Sequence, residues 1–151
     1  MKILMVCLGN ICRSPLAEGI LQKKVDENGL NWQVDSAGTG SWHVGDLPDP
    51  RSIKTARAHG IDLTGQRARL FKAEDLTTFD LIFAMDSSNY QNILQSATTD
   101  TQRDKVKLIM NEAEPGKNIA VPDPYRDDDG FEAVFQMLNN ATSKIIENYT
   151  A

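Results

Sequence analysis

The chain has little cysteine, few aromatic side chains and no excess of positive charge. Its two cysteines fall within one short segment, so they cannot crosslink distant parts of a secreted fold, and we expect both to remain thiols. The net charge of −5 argues against nucleic-acid binding, because such binding needs a basic surface. We therefore expect no nucleic-acid partner, and any anion must be held by a local cluster of donors.

Long apolar runs are also missing. No stretch approaches the roughly 20 residues that a membrane helix requires, and the apolar start lacks the cleavage pattern of a signal peptide. We therefore expect a cytoplasmic protein with no membrane partner. Apolar residues make up 40% and charged residues 25% of the 151 residues, which is typical of a globular protein. This length favours one domain over residues 1–151, and a monomer is the favoured state.

Strand-like and helix-like segments alternate along the chain. Short apolar segments predict strands at residues 2–6, 32–37, 81–85 and 106–110. Cap residues and apolar residues at helical spacing predict helices that begin at Ser14-Pro15, at Asp49-Pro50, at Ser87 or Ser88, and a last helix over residues 131–149. This alternation predicts an α/β fold, a parallel sheet covered by helices on both faces.

The segment after the first predicted strand, CLGNICRSP, places five residues between Cys7 and Arg13. A loop entering a helix can point several backbone N–H groups inward, and the helix dipole adds positive potential, which suits a tetrahedral dianion. Arg13 can close this cradle with a bidentate fork, and a Cys7 thiolate beneath a bound phosphate is a nucleophile. The alternative is an inert core thiol beside a surface arginine, but the position after a buried strand favours the phosphate site.

A proton donor for the departing oxygen is expected at Asp123. In the stretch VPDPY, Pro122 and Pro124 restrict the backbone on both sides of this carboxyl; the alternative is a solvated turn. Parallel sheets bind ligands at the carboxyl ends of their strands, where Asp86 also falls. The two scattered histidines give poor zinc geometry and are interpreted as structural or exposed, so neither a metal nor a cofactor is expected.

Three stretches together resemble the low-molecular-weight protein tyrosine phosphatases. CLGNICRSPLAE resembles their phosphate loop, VDSAGTGSWHVGDLPDPR their second conserved region and VPDPY their acid loop. The resemblance implies a single-domain, four-stranded parallel sheet with helices on both faces. It also implies a two-step, metal-independent hydrolysis of phosphotyrosine in proteins: Cys7 attacks phosphorus to form a cysteinyl-phosphate, and Asp123 protonates the leaving phenolate and then activates water.

The resemblance also implies roles for the surrounding residues. Arg13 would bind the equatorial phosphate oxygens, Ser14 would stabilise the Cys7 thiolate, and Asn10 would shape the loop through a hydrogen-bond network that includes Ser36. The expected site is completed by Leu8, Gly9, Ile11 and Cys12 of the phosphate loop, by Trp42 and Tyr125 as walls around the substrate ring, and by Asp86 and Arg126 as supporting residues.

The chain departs from the family pattern at several positions. Arg126 stands where many members have a second tyrosine, so a regulatory tyrosine pair is absent, and this arginine would favour acidic residues near the phosphosite. A histidine that often supports the phosphate loop is replaced near Gln66. The related arsenate reductases need further cysteines, and because none follows Cys12 their mechanism is excluded.

Two alternative functions stay open. One is a protein arginine phosphatase of the same family; those members tend to carry a smaller polar residue where this chain has Ile11, and an apolar side chain there suits an aromatic ester better. The other is a phosphotyrosine-binding module without turnover, against which Cys7, Arg13 and Asp123 together argue. It is also open whether Cys12 forms a protective disulfide with Cys7.

Overall fold

The sheet contains four parallel strands and carries the first strand near its centre. In the computed structural model, which describes residues 1–150, the strands are β1 (Lys2–Cys7), β2 (Gln33–Gly38), β3 (Leu81–Ala84) and β4 (Val106–Leu108). Their order is β2-β1-β3-β4, and each neighbouring pair is parallel. The predicted four-stranded parallel sheet is therefore confirmed, with Cys7 at the carboxyl end of an interior strand.

Helices cover both faces of this sheet. The described residues form α1 (Arg13–Glu27), α2 (Pro50–Ala58), α3 (Asp75–Thr78), α4 (Ser87–Leu94), α5 (Asp100–Lys105) and α6 (Phe131–Thr150). One core lies between α1, α2, α6 and the face of the sheet that carries Ile3, Met5 and Phe83. A second core lies under α3 and α4, against the face that carries Leu4 and Ile82. Among residues 1–150, no helix is both long and apolar enough to cross a membrane.

Several element boundaries differ from the predictions. Helix α1 begins at Arg13, so Ser14 is not its N-cap but lies buried in the first turn. The N-cap of α4 is Asp86, whose side chain accepts from Asn89 N–H, rather than Ser87 or Ser88. The fourth strand ends at Leu108 and continues as a 3₁₀ helix. The short helices α3 and α5 were not predicted, because so few residues show no helical period.

Candidate active site

The phosphate loop, residues 8–12, connects β1 to α1 at the carboxyl edge of the sheet. The backbone N–H of Asn10 donates to the sulfur of Cys7 at 3.3 Å. Asn10 has a φ of 57°, in the left-handed region that asparagine tolerates better than most residues. This turn folds the loop back toward the sulfur, so that a backbone N–H donates to the thiol.

The segment after β2 holds the phosphate loop from the neighbouring strand. Thr39 N–H donates to the Cys7 carbonyl at 2.9 Å, and Gly40 N–H donates to the Leu8 carbonyl at 2.8 Å. A Cβ on Gly38 would lie only 2.8 Å from the Leu8 carbonyl oxygen. Glycine is therefore required at this close approach between two backbones, and the position of the loop is fixed by main-chain contacts.

Two branches of hydrogen bonds start at the side-chain amide of Asn10, and one of them ends at the Cys7 sulfur. Asn10 Nδ2 donates to Ser14 Oγ at 2.8 Å and to Ser36 Oγ at 3.0 Å, and Ser14 Oγ lies 3.0 Å from Cys7 Sγ. Ser36 Oγ in turn donates to Glu18 Oε1 at 2.7 Å. Because the amide nitrogen can only donate, Ser14 accepts from Asn10, and its own proton remains for the sulfur.

Glu18 ends the second branch, which runs from Asn10 through Ser36, and lies in a half-buried position. Burial raises the pKa of Glu18 to about 7; the hydrogen bond from Ser36 and the positive charge of Arg69 oppose that rise, and Asp35 adds to it. Arg69 contributes through its backbone as well, since its N–H donates to Asn10 Oδ1 at 3.0 Å. The Asn10 amide is thereby oriented at both of its ends.

Arg13 is buried, with 3% of its surface exposed. Its Nη1 donates to Asp86 Oδ2 at 2.7 Å and to the Val121 carbonyl at 2.9 Å. Asp86 is itself fixed, because its other oxygen accepts from Asn89 N–H. These bonds all use one nitrogen of the guanidinium, and Nε and Nη2 form no hydrogen bond among residues 1–150. Nε and Nη2 are therefore the nitrogens that can donate to a phosphate.

A cavity of about 350 Å³ opens above the phosphate loop. Its lining consists of Cys7, Leu8, Gly9, Ile11, Cys12, Arg13, Trp42, His43, Asp123, Tyr125 and Arg126. Trp42 is 72% exposed and Tyr125 46% exposed, so both present ring surface at the mouth. Four other residues expected at the site do not line the cavity but lie behind it: Asn10, Ser14, Ser36 and Asp86.

Asp123 lies at the exposed rim of this cavity. One of its oxygens, Oδ1, accepts from the Tyr125 N–H at 3.1 Å, which leaves the other oxygen facing solvent or a ligand. The fold thus brings a thiol, a buried guanidinium and a carboxyl to one cavity. That combination can bind a phosphate ester, attack its phosphorus and protonate the departing oxygen.

His43 also lines the cavity, although sequence reasoning did not select it. Its Nδ1 lies 3.2 Å from Asp46 Oδ2, and its ring centroid lies 6.3 Å from that of Tyr125. A Cβ on Gly9 would meet the His43 ring at 3.2 Å, so the phosphate loop passes directly beneath it. The only available signal was its position beside Trp42.

Cys12 differs from Cys7 in its surroundings. Burial, reinforced by the nearby carboxyl of Asp49, raises the pKa of Cys12 to about 12. Its thiol therefore stays protonated near neutral pH, and it cannot serve as the nucleophile in place of Cys7.

A wider cavity of about 560 Å³ lies along α1, lined by charged side chains such as Lys23 and Arg67 together with Glu18 and Gln66. Its lining contains no cysteine, serine or threonine. Gln66, which stands where the family resemblance expects a histidine, donates from Nε2 to the Pro15 carbonyl at 3.1 Å. It therefore supports α1 just after the phosphate loop, through a backbone contact.

Comparisons with known proteins agree with this geometry. A family model described as low molecular weight phosphotyrosine protein phosphatase matches residues 2–150. The chain belongs to this family. A putative low molecular weight protein-tyrosine-phosphatase of Synechocystis sp. is 46% identical over 149 residues, covering 97% of this chain and 94% of that protein. The sequence resemblance to the family is thereby confirmed.

Two solved structures show how widely this fold is used within the phosphatase family. A protein tyrosine phosphatase from Entamoeba histolytica superposes with a TM-score of 0.91 at 36% identity, covering 98% of this chain and 96% of that one. A Drosophila arginine phosphatase superposes with a TM-score of 0.92 at 35% identity, covering 100% of this chain and 99% of that one. Because the two similarities are nearly equal, the fold does not separate the two substrates.

Proposed function

We propose that this protein hydrolyses phosphotyrosine in proteins through a cysteinyl-phosphate intermediate, without a metal or another cofactor. The observation that carries the proposal is the single cavity lined by Cys7, Arg13 and Asp123. Family membership supports the same chemistry. A binding module without turnover would not need a nucleophile and a proton donor in the same cavity.

In the first step, the Cys7 thiolate attacks phosphorus and the bond to the aryl oxygen breaks. Arg13 holds two equatorial oxygens through Nε and Nη2, because Nη1 is already bound to Asp86 and Val121. Asp123 gives its proton to the departing oxygen, so phenol leaves rather than phenolate. The hydroxyl of Ser14, directed at the sulfur, stabilises the thiolate before attack.

In the second step, Asp123 takes a proton from water, which attacks the phosphorus of the cysteinyl-phosphate. The sulfur–phosphorus bond breaks, inorganic phosphate leaves and the Cys7 thiolate is restored. Asp123 therefore alternates between acid and base, as its position at the solvent-exposed rim allows.

Tyrosine rather than arginine is the proposed target because of the cavity walls. Trp42 and Tyr125 present flat ring surface at the mouth, which suits a phenyl ring. Ile11, which lines the same cavity, is apolar, whereas a guanidinium would need polar partners. The arginine phosphatase stays the second candidate, favoured by the structural similarity to the Drosophila enzyme.

Further properties belong to this proposal. Residues 1–151 would act as one phosphatase domain, supported by the family match to residues 2–150 and by helices packed on both faces of one sheet. Phosphotyrosine-containing proteins would be the partners, and a monomer in the cytoplasm is the proposed state.

The experiment compares one phosphotyrosine peptide with the phosphoarginine peptide of the same sequence, in the presence of a chelator. We expect the kcat/KM for phosphotyrosine to be higher by at least about tenfold. Cys7→Ser should keep the fold, measured by circular dichroism, and lose turnover. Preferred hydrolysis of phosphoarginine would support the second candidate, and peptide binding without release of phosphate by the wild type would support the binding module.

A further inference from the structure

Arg51 contacts the loop that carries Asp123 without lining the cavity. Its Nη2 donates to the Tyr125 carbonyl at 2.9 Å, and its Nη1 donates to Asp128 Oδ1 at 2.5 Å. The guanidinium also lies 5.5 Å from the ring centroid of Tyr125 and 4.7 Å from that of Phe131, within the range of cation–π attraction. Arg51 therefore contacts the backbone and ring of Tyr125 in this loop, and Asp128 and Phe131 just after it.

The same guanidinium is bound on its other side to Asp49. Arg51 Nε donates to Asp49 Oδ1 at 3.0 Å and Nη2 to Asp49 Oδ2 at 2.9 Å, a bidentate pair. Asp49 is 8% exposed, and its hydrogen bonds to Arg51 lower its pKa. It is the N-cap of α2, and its own N–H donates to the carbonyl of Ile11 in the phosphate loop at 2.8 Å.

Arg51 and Asp49 thus join the two loops that must act together. The phosphate loop is fixed by the sheet and by α1, but residues 122–127 belong to no helix or strand. Pro122 and Pro124 restrict the shape of this segment, yet they do not set its distance from Cys7. Tyr125 N–H donates to Asp123 Oδ1, so the residue whose carbonyl is bound by Arg51 also contacts the Asp123 carboxyl.

Placement of this carboxyl limits the proton transfer. A general acid must come within about 2.6–3.2 Å of the oxygen that it protonates, and a displacement of about 1 Å can cost about a hundredfold in rate. The four hydrogen bonds from the planar Arg51 guanidinium connect Asp49, whose N–H is bonded to the phosphate loop, with Tyr125 in the Asp123 loop and with Asp128 just after it. Lysine keeps the charge but lacks this planar arrangement of donors.

We propose that Arg51 is a positioning residue that holds the Asp123 loop in place over Cys7 and so makes the protonation of the leaving group efficient. The inference rests on the proposed function, because it takes Asp123 as the proton donor. It assigns Arg51 no contact with the substrate.

The test measures kcat/KM for Arg51→Lys with a series of aryl phosphates of increasing leaving-group pKa. A good leaving group needs little protonation, so we expect a loss of about threefold or less with nitrophenyl phosphates and of about tenfold or more with phenyl phosphate. The alkylation rate of Cys7 by iodoacetamide should stay unchanged. The matched control is Arg103→Lys on α5, where the arginine forms its salt bridge with Asp100 of the same helix; no loss is expected with any substrate.

Asp123→Asn in the same series separates this inference from the proposed function. If the loss of kcat/KM in Asp123→Asn does not depend on the leaving group, Asp123 is not the acid, and the proposed function is wrong about the proton donor. If Asp123→Asn shows the dependence and Arg51→Lys loses the same factor with every substrate, Arg51 is only structural and the inference is overturned. Should Arg51→Lys not fold, Asp128→Ala decides, because it removes the exposed oxygen that accepts from Arg51; a leaving-group-dependent loss supports the inference and an equal loss or none overturns it.

Discussion

The Ser14 hydroxyl and the Cys7 sulfur lie 3.0 Å apart, and the direction of that hydrogen bond is set elsewhere in the site. Asn10 Nδ2 donates to both Ser14 and Ser36, while Asn10 Oδ1 accepts from Arg69 N–H. The amide cannot flip without losing these partners. Ser14 is therefore held as a donor to the sulfur, the arrangement that favours the charged thiolate over the neutral thiol.

Ser14→Ala should lower the fraction of Cys7 present as thiolate. A hydrogen bond to a charged group contributes about 1.5–3 kcal/mol, so in a pH series we expect alkylation by iodoacetamide to slow by roughly tenfold or more on the acidic limb of the profile. The ultraviolet absorbance of the thiolate, followed against pH, gives the same quantity independently. Ser88→Ala, at an exposed position of α4, is the control. Equal alkylation rates in wild type and Ser14→Ala would show that the backbone and Arg13 suffice.

The sequence predicted the elements whose apolar residues recur at a regular spacing. The buried face of α1 contains the expected apolar residues Leu16, Ile20, Leu21 and Val25, because apolar residues at helical spacing mark the face that packs against the core. The cap of α1 was predicted wrongly for a related reason. Ser14 before Pro15 has the local pattern of an N-cap, but its hydroxyl is bound by Asn10 and Cys7. A tertiary contact thus overrides the local signal.

The residues of the site also differ in whether the sequence could predict them. Cys7, Arg13 and Asp123 could be placed together because the carboxyl ends of parallel strands share one edge. Glu18 and Arg51 could not be found from spacing. Ser36, the partner of Glu18, lies on another element, and the contacts of Arg51 with Tyr125 and Asp128 span 74 and 77 residues. Neither contact leaves a pattern in one sequence.

Glu18→Gln should stabilise the protein increasingly as the pH rises. The Glu18 pKa is raised from 4.5 to about 7, so between these values the folded protein keeps a proton that the unfolded chain releases. The contribution of Glu18 to stability therefore falls with pH and is fully lost above about pH 7. We expect the free energy of unfolding of the variant, relative to wild type, to increase by about 1–3 kcal/mol from pH 4 to pH 8.

Urea unfolding at several pH values measures this difference. Glu147→Gln is a suitable control, since Glu147 is exposed and pairs with Lys144 on α6; its difference from wild type should stay flat. A flat difference for Glu18→Gln as well would mean that the Glu18 carboxyl titrates as it does in the unfolded chain.

Arg126→Ala should change substrate preference more than catalysis. Arg126 is exposed at the cavity and forms no hydrogen bond or salt bridge among residues 1–150. We expect kcat/KM to fall by about three- to tenfold for phosphopeptides with acidic residues beside the phosphotyrosine, and less than twofold for a small aryl phosphate. Added salt should shrink the difference, because it screens exposed charges. An equal loss with both substrates would place Arg126 in the chemistry instead.

Cys12 is predicted to protect Cys7 against irreversible oxidation. Peroxide oxidises an accessible thiolate to a sulfenic acid, and a neighbouring thiol can displace water from it to form a disulfide. Cys12 is the last residue of the short loop that follows Cys7, and its pKa of about 12 keeps it a thiol, so peroxide should attack Cys7 first. We expect treated wild type to regain most of its own starting activity in dithiothreitol, and Cys12→Ser to regain several-fold less, because its Cys7 proceeds to the sulfinic acid. Mass spectrometry should find a Cys7–Cys12 link. Disulfide geometry is demanding in so short a loop; equal recovery and no such link would reduce Cys12 to a packing role.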